Sequence, residues 1–320
     1  MNQICQLSIV IINYKSPGLV KDCLKTVLPE IRALDAKVVI VDNNSGDNSA
    51  EVLNNWLLKN DTRKKVKLFL SDENLGFSGG NNLGINAIRA EYYLLLNSDT
   101  LVRGGAIQSL LDTIKHNPHA GIVSPCLEWP DGTPETSCFR YPTPISELIA
   151  SADTGPITRL FKNHYVPLPI SKQIIHPPWT SFACVLIRHD MFTDIGLMDD
   201  NYFMYYEDID FCRRARKAGW DIIHNPIARV IHLHGGSSAL NDRMKQRKRL
   251  PRYYYESRTR YMYTYYGRAG LFAANIFWSI GRIIAGLREI FGNKKSHICD
   301  KQIYDIWINY FQPLKPYTRP

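Results

Sequence analysis

Residues 7–12 read LSIVII, and this continuous run of apolar, mostly β-branched side chains decides the fold class. A strand buried on both faces of a parallel sheet has this composition, whereas a strand with one wet face alternates with polar residues. Outward along the chain, similar runs at residues 37–41 and 66–70 are separated by helical patterns at residues 19–28 and 50–58. Strand and helix alternate, which predicts an α/β domain with a mainly parallel central sheet.

Polar side chains follow the predicted strands at the points where the strands end. Tyr14 follows the first strand, Asp42 follows the second, and the tripeptide NSD at residues 97–99 follows a further buried run at residues 92–96. In open α/β sheets, ligands bind beyond the carboxyl ends of the strands. Asp99 either closes an Asx turn or supplies an oxygen ligand to Mg²⁺ or Mn²⁺, and the sequence leaves both open.

Residues 74–82 read NLGFSGGNN, a glycine-rich stretch that opens a predicted helix. Glycines permit tight turns and the close approach of another backbone. The stretch lacks the Gly-Lys-Ser/Thr of a Walker A loop and the G-x-G-x-x-G spacing of a dinucleotide fold. By itself it is weak evidence for a phosphate site, because turns use the same residues.

Residues 201–220 read NYFMYYEDIDFCRRARKAGW and place Glu207 and Asp208 directly behind four aromatic side chains. From Glu207 the spacing predicts a helix that stops at Gly219. A helix dipole stabilises acidic residues in its first turn, so the pair could serve only as a cap. The aromatic side chains would exclude water, however, and a carboxylate held in that way suits general-base catalysis.

The chain between residues 118 and 178 is rich in proline and poor in periodicity, which predicts a long loop that is either a functional lid or disordered. Residues 179–188 indicate a single return strand. Short strands are predicted at residues 222–225 and 228–233, and the second carries two histidines on the same side, His232 and His234. Histidines in that position are either structural or ligands.

Composition and charge set broad limits. The 320 residues are 45% hydrophobic, enough for one large domain or one domain with an appendage. The net charge is +9, with the excess between Arg243 and Arg268 and near Lys294, Lys295 and Lys315. Such a tail suits nucleic acid, an anionic membrane or an acidic substrate. Seven scattered cysteines without metal-ligand spacing predict reduced cytosolic thiols, and the first residues lack a signal-peptide pattern.

A helical extension is predicted after residue 240. Residues 252–261 combine basic and aromatic side chains, and residues 271–290 are apolar but interrupted by one asparagine and two arginines. A spanning helix needs roughly 20 apolar residues with few charges. The extension is therefore predicted to lie in a membrane interface, attracted by anionic lipids, and the alternative is a helix packed on the catalytic domain.

Together the motifs resemble the family 2 glycosyltransferases, inverting enzymes with the GT-A nucleotide-sugar fold. The matching motifs are IINY at residues 11–14, VDNNS at 41–45, NLGFSGGNN at 74–82, LLLNSD at 94–99, and FMYYEDIDFCRRARKAGW at 203–220 followed by VIHLHGGSS at 230–238. The resemblance covers residues 5–240, and the order of the motifs makes it specific. Within the family, the chain resembles bacterial rhamnosyltransferase-like enzymes of surface-polysaccharide synthesis.

The resemblance implies a donor site. Tyr14 would stack on the pyrimidine of the donor, and Asp42 would accept its ring N–H. The remaining nucleotide-sugar contacts that the resemblance implies are Asn74, Gly76, Asn81, Asn97 and Ser98.

The resemblance also implies a metal site and a base. Asn97 stands where the Asp-x-Asp of the family has its first acid, so Asp99 is expected to carry most of the binding of Mg²⁺ or Mn²⁺, together with His232. Asp208 matches the catalytic base, and Glu207 is its neighbour. Weaker candidates for contact with the sugar or acceptor are Trp179, Tyr205 and His234, with core packing as the alternative for the aromatic residues.

The implied activity is that of a hexosyltransferase. It would move a sugar from a UDP- or dTDP-sugar to a hydroxyl of a glycan or a polyprenyl-diphosphate-linked acceptor in cell-surface polysaccharide synthesis. The expected organisation is a GT-A catalytic domain at residues 1–240 and a basic, aromatic extension at residues 241–320. The expected location is the cytoplasmic face of the plasma membrane.

Two other functions stay open. A sugar nucleotidyltransferase would normally show a basic glycine-rich loop near its first strand, and residues 13–18 lack one. A non-catalytic nucleotide-sugar or glycan binder is favoured by Asn97 and disfavoured by Glu207, Asp208 and His232. No recognised nucleic-acid module accompanies the basic tail, so a nucleic-acid partner is not expected.

Overall fold

A computed structural model describes residues 4–61, 63–234, 240–292 and 298–319. Two parts of the sequence patterns lie outside the described residues: residues 235–238 of the histidine motif, and the tail lysines Lys294 and Lys295. The chain divides into two compact units. The first comprises Met1–Phe139, Pro169–Asp200 and Asp208–Ser237, and the second comprises Arg140–Leu168, Asn201–Glu207 and Ser238–Pro320.

The second unit is not continuous in sequence. Arg140–Leu168 and Asn201–Glu207 pack with the C-terminal part of the chain, whereas the sequence predicted one division at residue 240. The division into a catalytic domain at residues 1–240 and an extension at residues 241–320 stays a prediction.

An eight-stranded sheet forms the centre of the first unit. The strands of this unit are β1 (Cys5–Asn13), β2 (Ala36–Asp42), β3 (Val66–Leu70), β4 (Ala90–Asn97), β5 (Thr100–Val102), β6 (Ala120–Glu128), β7 (Cys138–Phe139), β8 (Trp179–Thr180), β9 (Cys184–Arg188) and β10 (Asp221–His232). The order in the large sheet is β3-β2-β1-β4-β9-β6-β10-β5, and β7 pairs with β8 separately. Pairs β3/β2, β2/β1, β1/β4 and β6/β10 are parallel, while β9 and β5 run antiparallel to their neighbours.

Helices cover this sheet with one apolar face each. They are α1 (Pro17–Glu30), α2 (Ser49–Asn60), α3 (Gly76–Ala87), α4 (Ala106–His116), α7 (His189–Ile195) and α8 (Glu207–Lys217), the last of which begins in the second unit. Spacings of four and three residues put Val20, Leu24 and Val27 of α1 on one side, where they are fully buried in the same core as Leu7 and Ile9 of β1. The α/β class is confirmed.

Two glycines of α3 allow this helix to approach the sheet closely. A Cβ atom at Gly84 would lie 2.3 Å from Cγ1 of Val10, and one at Gly80 would lie 3.1 Å from Cδ1 of Ile12. The glycine-rich pattern therefore has a packing role at these positions, which the sequence could not separate from a ligand-binding role.

The prediction of a long loop between residues 118 and 178 is wrong in part. Strand β6 is buried along its whole length, and α5 (Pro144–Ala152) and α6 (Gly155–Leu160) follow it. Pro125 argued against a strand at the level of sequence, because proline lacks the amide that donates a ladder hydrogen bond. In the structure it faces Asn225, where the pairing of β6 with β10 shifts register, so the missing donor lies at a bulge.

Two other strand predictions need correction. Residues 179–188 form two strands, β8 and β9, because the segment turns between them and changes sheets. Conversely, the two short strands predicted within residues 222–233 form the single strand β10, which is irregular near Asn225.

The second unit is helical. Besides α5 and α6 it contains α9 (Leu240–Lys245), α10 (Arg252–Phe291) and α11 (Gln302–Asp305), with a short 3₁₀ turn at Lys162–His164. Helix α10 packs against α5, and a Cβ atom at Gly281 would lie 2.1 Å from Oγ of Ser151. Gly267, with φ of +67°, kinks α10 between the two segments predicted from the sequence.

The first segment of α10 is more buried than an amphipathic surface helix. Every residue from Tyr255 to Met262 is buried, including Arg258. The guanidinium of Arg258 donates to Oε2 of Glu147 at 2.8 and 3.0 Å and to Oδ1 of Asn275 at 2.9 Å. Part of the basic charge of the tail is therefore neutralised inside the unit.

The second segment of α10 exposes an apolar face. Ile280, Ile283, Leu287, Ile290 and Phe291 are 41–85% exposed and recur at helical spacing. Within Arg252–Phe291, an 18-residue stretch has a mean hydropathy of 1.4 and is one-third buried, so length and composition alone would allow this helix to cross a membrane. A single helix of this kind is weak evidence, because core helices of soluble proteins share the property.

Candidate active site

The ends of β1 and β2 hold Asp42 in a fixed orientation. Asn13 and Asp42 are register partners, and Nδ2 of Asn13 donates to Oδ1 of Asp42 at 2.6 Å. The Ser45 hydroxyl donates to the same oxygen at 2.6 Å. Oδ2 of Asp42 receives only a long bond of 3.3 Å from the Ser45 amide, so this oxygen keeps capacity for a ligand N–H. Tyr14, which is half-buried, follows Asn13 directly at this edge.

Asn43 organises the neighbouring loop, and the sequence interpretation missed it. Its Nδ2 donates to Oδ1 of Asn74 at 3.0 Å and to the Gly76 carbonyl at 2.9 Å, and its Oδ1 accepts from the Leu75 amide at 3.0 Å. The structure therefore connects Asn74 and Gly76 to the end of β2 beside Asp42. The signal for Asn43 was its position next to Asp42 within the quoted VDNNS motif.

Asn81 lies within α3 rather than in the loop. Its Nδ2 donates to the Phe77 carbonyl one turn earlier, at 3.0 Å, and the residue is 2% exposed. That bond orients the amide, whose oxygen and second N–H keep the capacity to bond to a ligand.

The end of β4 leads into Asp99, one of the two predicted metal residues. Asn97 ends β4, Ser98 and Asp99 form the turn into β5, and Asp99 is buried. Because β10 pairs with β5, with His232 opposite Thr100, His232 comes close to Asp99. Nε2 of His232 lies 3.6 Å from Oδ1 of Asp99, so the structure brings these two predicted residues together.

Glu135, which the sequence interpretation missed, lies on the other side of His232. Its Oε2 is 3.5 Å from Nδ1 of His232 and 3.1 Å from Nε2 of His234. The imidazole of His234 also stacks against Trp129, with ring centroids 4.4 Å apart. His234 therefore belongs with the metal candidates by its position, whereas the sequence favoured contact with the sugar or acceptor.

This cluster suits a divalent cation. Oε2 of Glu135, Nδ1 of His232 and Nε2 of His234 are buried without a hydrogen-bond partner in the described structure, and all three lie within 4.8 Å of one another. Ligands about 2.1 Å from one ion are separated from one another by about 3 Å or slightly more. Oε2 of Glu135 lies at such distances from both histidine nitrogens, 3.5 Å from Nδ1 of His232 and 3.1 Å from Nε2 of His234. Burial lowers the pKa of His232, but the charges of Asp99 and Glu135 outweigh it and raise that pKa to about 9. Because a histidine ligand must be deprotonated, a metal ion bound here would displace this proton.

Helix α8 presents the two carboxylates as predicted. It begins at Glu207 and ends with Gly219 at a φ of +90°, where the Trp220 amide donates to the Ala215 carbonyl at 3.0 Å. Burial raises the pKa of Asp208 to about 7, while the backbone amides of Ile209 and Phe182 offset part of the shift. A carboxylate with such a pKa is suited to accept a proton near neutral pH. Since Oδ1 also accepts from the Ile209 amide at 2.8 Å, Asp208 combines capping with this property.

The aromatic candidates are packed against other rings. Trp179 is 8% exposed and stacks on Phe139 with centroids 4.3 Å apart. Tyr205 and Tyr206 have φ values of +70° and +69°, which cost about 1–2 kcal/mol each for residues with a Cβ atom. Contact of Trp179 or Tyr205 with a sugar stays a prediction.

Comparison with known proteins identifies similar sequences. Residues 8–145 match the family model described as glycosyl transferase family 2. The low-salt glycan biosynthesis hexosyltransferase Agl10 of Haloferax volcanii is 32% identical over 231 residues, which cover 71% of this chain and 66% of that protein. The N-acetylglucosaminyl-diphospho-decaprenol L-rhamnosyltransferase of Mycobacterium tuberculosis is 27% identical over 242 residues, covering 71% and 75%.

Solved structures share the fold. GalNAc-T7 with UDP, GalNAc and Mn²⁺ aligns with a TM-score of 0.58 at 16% identity, covering 97% of this chain and 59% of that one. The mannosyltransferase PcManGT of Pyrobaculum calidifontis, in complex with GDP-Man and Mn²⁺, aligns with a TM-score of 0.55 at 11% identity, covering 98% and 86%. At these identities the likeness shows the fold alone, and it confirms the predicted GT-A architecture.

Proposed function

The chain belongs to glycosyltransferase family 2, and we propose that it transfers a hexose from a nucleoside diphosphate sugar to a hydroxyl of a saccharide acceptor, with inversion at the anomeric carbon. The observation that carries the proposal is the position of the His232 imidazole between Asp99, in the turn after β4, and the pair of Glu135 and His234. Acidic and imidazole groups gathered there suit the metal diphosphate of such a donor.

The donor contacts follow from the two neighbouring strand ends. Oδ2 of Asp42 accepts the ring N–H of a uracil or thymine base, and Tyr14 stacks on that base. Asn43 keeps the loop from Asn74 to Gly76 in place beside them. The donor is a UDP- or dTDP-sugar in this proposal, because both pyrimidines present the same N–H.

The cation would be Mg²⁺ or Mn²⁺. His232 would hold it either through Nε2 together with Asp99 or through Nδ1 together with Glu135 and His234, because these groups face opposite nitrogens of the imidazole ring. When bound, it neutralises the charge that develops on the leaving diphosphate. Asn97 replaces the first acid of the Asp-x-Asp motif of the family. Glu135 supplies a carboxylate from a different segment, which disfavours a non-catalytic nucleotide-sugar or glycan binder.

Asp208 acts as the base. Its carboxylate takes the proton of the acceptor hydroxyl while the oxygen attacks the anomeric carbon. The bond from that carbon to the diphosphate oxygen breaks, and the leaving group keeps the electron pair. Attack opposite the leaving group inverts the centre, and Asp208 is the only proton acceptor that this step needs.

The acceptor in this proposal is a glycan or polyprenyl-diphosphate-linked saccharide of cell-surface polysaccharide synthesis. The name of the mycobacterial relative, an N-acetylglucosaminyl-diphospho-decaprenol L-rhamnosyltransferase, supports a lipid-linked acceptor. We also propose that the protein works at the cytoplasmic face of the plasma membrane, with the apolar face of α10 on the lipid surface. Apolar contact is the main contribution, because Arg282 is paired with Glu289, and Arg288 lies 3.6 Å from Asp153.

Titration calorimetry with UDP, dTDP and GDP, each with and without Mn²⁺, tests the donor site. We expect one pyrimidine nucleotide to bind in a Mn²⁺-dependent manner and Asp99→Ala to weaken this binding at least tenfold. The control is Asp112→Ala, which removes an exposed carboxylate on α4 and should leave the binding unchanged. Failure of the folded wild-type protein to bind any of the three nucleotides would overturn the proposal.

A further inference from the structure

The short segment that precedes Glu207 has an unusual backbone. Tyr205 and Tyr206 both lie in the left-handed region, with φ values of +70° and +69°. Neither is glycine or asparagine, the residues that adopt this region with least strain. Two consecutive tyrosines do not keep such a path by local preference, so contacts from elsewhere in the second unit must hold them.

The first turns of α10 make those contacts. The ring of Tyr205 lies 6.2 Å from that of Tyr253 and 5.7 Å from that of Tyr254. The ring of Tyr206 lies 6.0 Å from that of Tyr254 and 5.4 Å from that of Tyr261. Each of the two strained residues therefore packs against two tyrosines of a helix that lies some 50 residues further along the chain.

A hydrogen bond adds to the ring contacts. The hydroxyl of Ser257, which is 2% exposed, donates to the Met204 carbonyl at 3.1 Å. This carbonyl belongs to the peptide bond that leads into Tyr205. The spacing of 253, 254, 257 and 261 places all four side chains on one side of α10.

We infer that Tyr253, Tyr254, Ser257 and Tyr261, which we call the aromatic clamp, are positioning residues for the catalytic motif. They hold residues 204–206 in the path that starts α8 at Glu207, and Asp208 follows as the second residue of this helix. The extension beyond residue 240 is thereby required for turnover, in addition to any contact with lipid. The kinetic test of this inference rests on the proposed function, whereas the test by hydrogen exchange does not.

The test compares Tyr254→Leu with Tyr254→Phe, since only the first removes the aromatic ring. The matched control is Tyr263→Leu, a half-buried tyrosine of the same helix whose ring contact is with Arg268. We measure kcat, the KM for the donor, and amide hydrogen exchange of residues 203–210. For Tyr254→Leu we expect kcat to fall at least tenfold, because small misplacements of catalytic groups are costly. The donor KM should stay within twofold, and exchange in this segment should accelerate. Tyr263→Leu should resemble wild type, whereas Tyr254→Phe, which keeps the ring but loses the hydrogen bond between the Tyr254 and Tyr206 side chains, should have a smaller effect than Tyr254→Leu.

Ser257→Ala is the milder second variant and decides the matter if Tyr254→Leu does not fold. It should lower kcat about threefold and accelerate exchange at residues 204–206. Unchanged exchange there in both folded variants, or loss of turnover through a raised donor KM alone, would overturn the inference. If wild-type protein transfers no sugar, the proposed function fails, and the exchange measurement still decides whether the clamp holds the segment.

Discussion

Asp208→Asn removes the proposed base and a buried charge in one substitution. Burial raises the pKa of this carboxyl to about 7 from an ordinary value of 3.8. For an acid whose pKa is higher in the folded state, the folded protein binds the proton more tightly than the unfolded chain does. The stability that the protonated form contributes is therefore present at low pH and is lost as the pH rises from about 4 to about 7.

The size of the effect follows from the two pKa values. The full difference corresponds to about 4 kcal/mol, at about 1.36 kcal/mol for each pKa unit. Between pH 5 and pH 8, the part of this penalty that appears is roughly 2–3 kcal/mol. Asparagine at position 208 cannot ionise, so the variant escapes the penalty. It should be inactive at every pH, and its stability relative to wild type should increase by roughly 2–3 kcal/mol between pH 5 and pH 8.

Urea unfolding of both proteins at pH 5 and pH 8, together with a transfer assay, measures this effect. The control is Asp210→Asn on the same helix, where the carboxylate accepts from Arg214 at 2.8 Å. Loss of this charged pair should destabilise the protein at pH 8, an effect opposite in sign to the gain in relative stability expected for Asp208→Asn. A stability difference for Asp208→Asn that stays constant with pH would refute the reasoning, since it would mean that the Asp208 carboxyl is well solvated.

Two other substitutions test the remaining proposals. Glu135→Gln should weaken Mn²⁺ binding about tenfold or more, because it removes a charge from the cluster; the paramagnetic resonance of free Mn²⁺ measures this. The control Glu91→Gln, at an exposed position in β4, should leave Mn²⁺ binding unchanged. Equal Mn²⁺ affinities of Glu135→Gln and wild type would exclude Glu135 from the site. Ile283→Asp combined with Leu287→Asp should abolish cosedimentation with vesicles of phosphatidylglycerol and phosphatidylcholine. Loss of binding only for Lys315→Glu would instead indicate that charge, and not the apolar face of α10, holds the protein on lipid.

The parts of the fold that were predictable have local signals. Buried strands such as β1 and β2 are continuous apolar runs, and the polar residues Tyr14 and Asp42 lie within two residues of the ends of these runs. Helix α8 was predictable from its spacing and from Gly219, which stops it. In each case the local structure of a residue is determined by residues close to it in the sequence.

The parts that were missed depend on distant pairing. Glu135 follows a turn after β6 and reaches His232 only because β10 runs alongside β6. Strand β6 itself was hidden by Pro125, whose missing donor is tolerated at a bulge that only the partner strand reveals. The clamp tyrosines looked like one face of a surface helix, since nothing near Tyr254 in the sequence indicates Tyr206 as its neighbour.

The discontinuous second unit has a consequence for synthesis on the ribosome. Phe203 packs against Tyr317, with ring centroids 5.1 Å apart, so one side of this contact is made 114 residues after the other. At about 5–20 residues per second, a nascent chain waits roughly 6–23 s with the aromatic rings around Phe203 uncovered. During that interval the segment is a target for chaperones. The aromatic packing around Phe203 is thus complete only after translation has passed Tyr317.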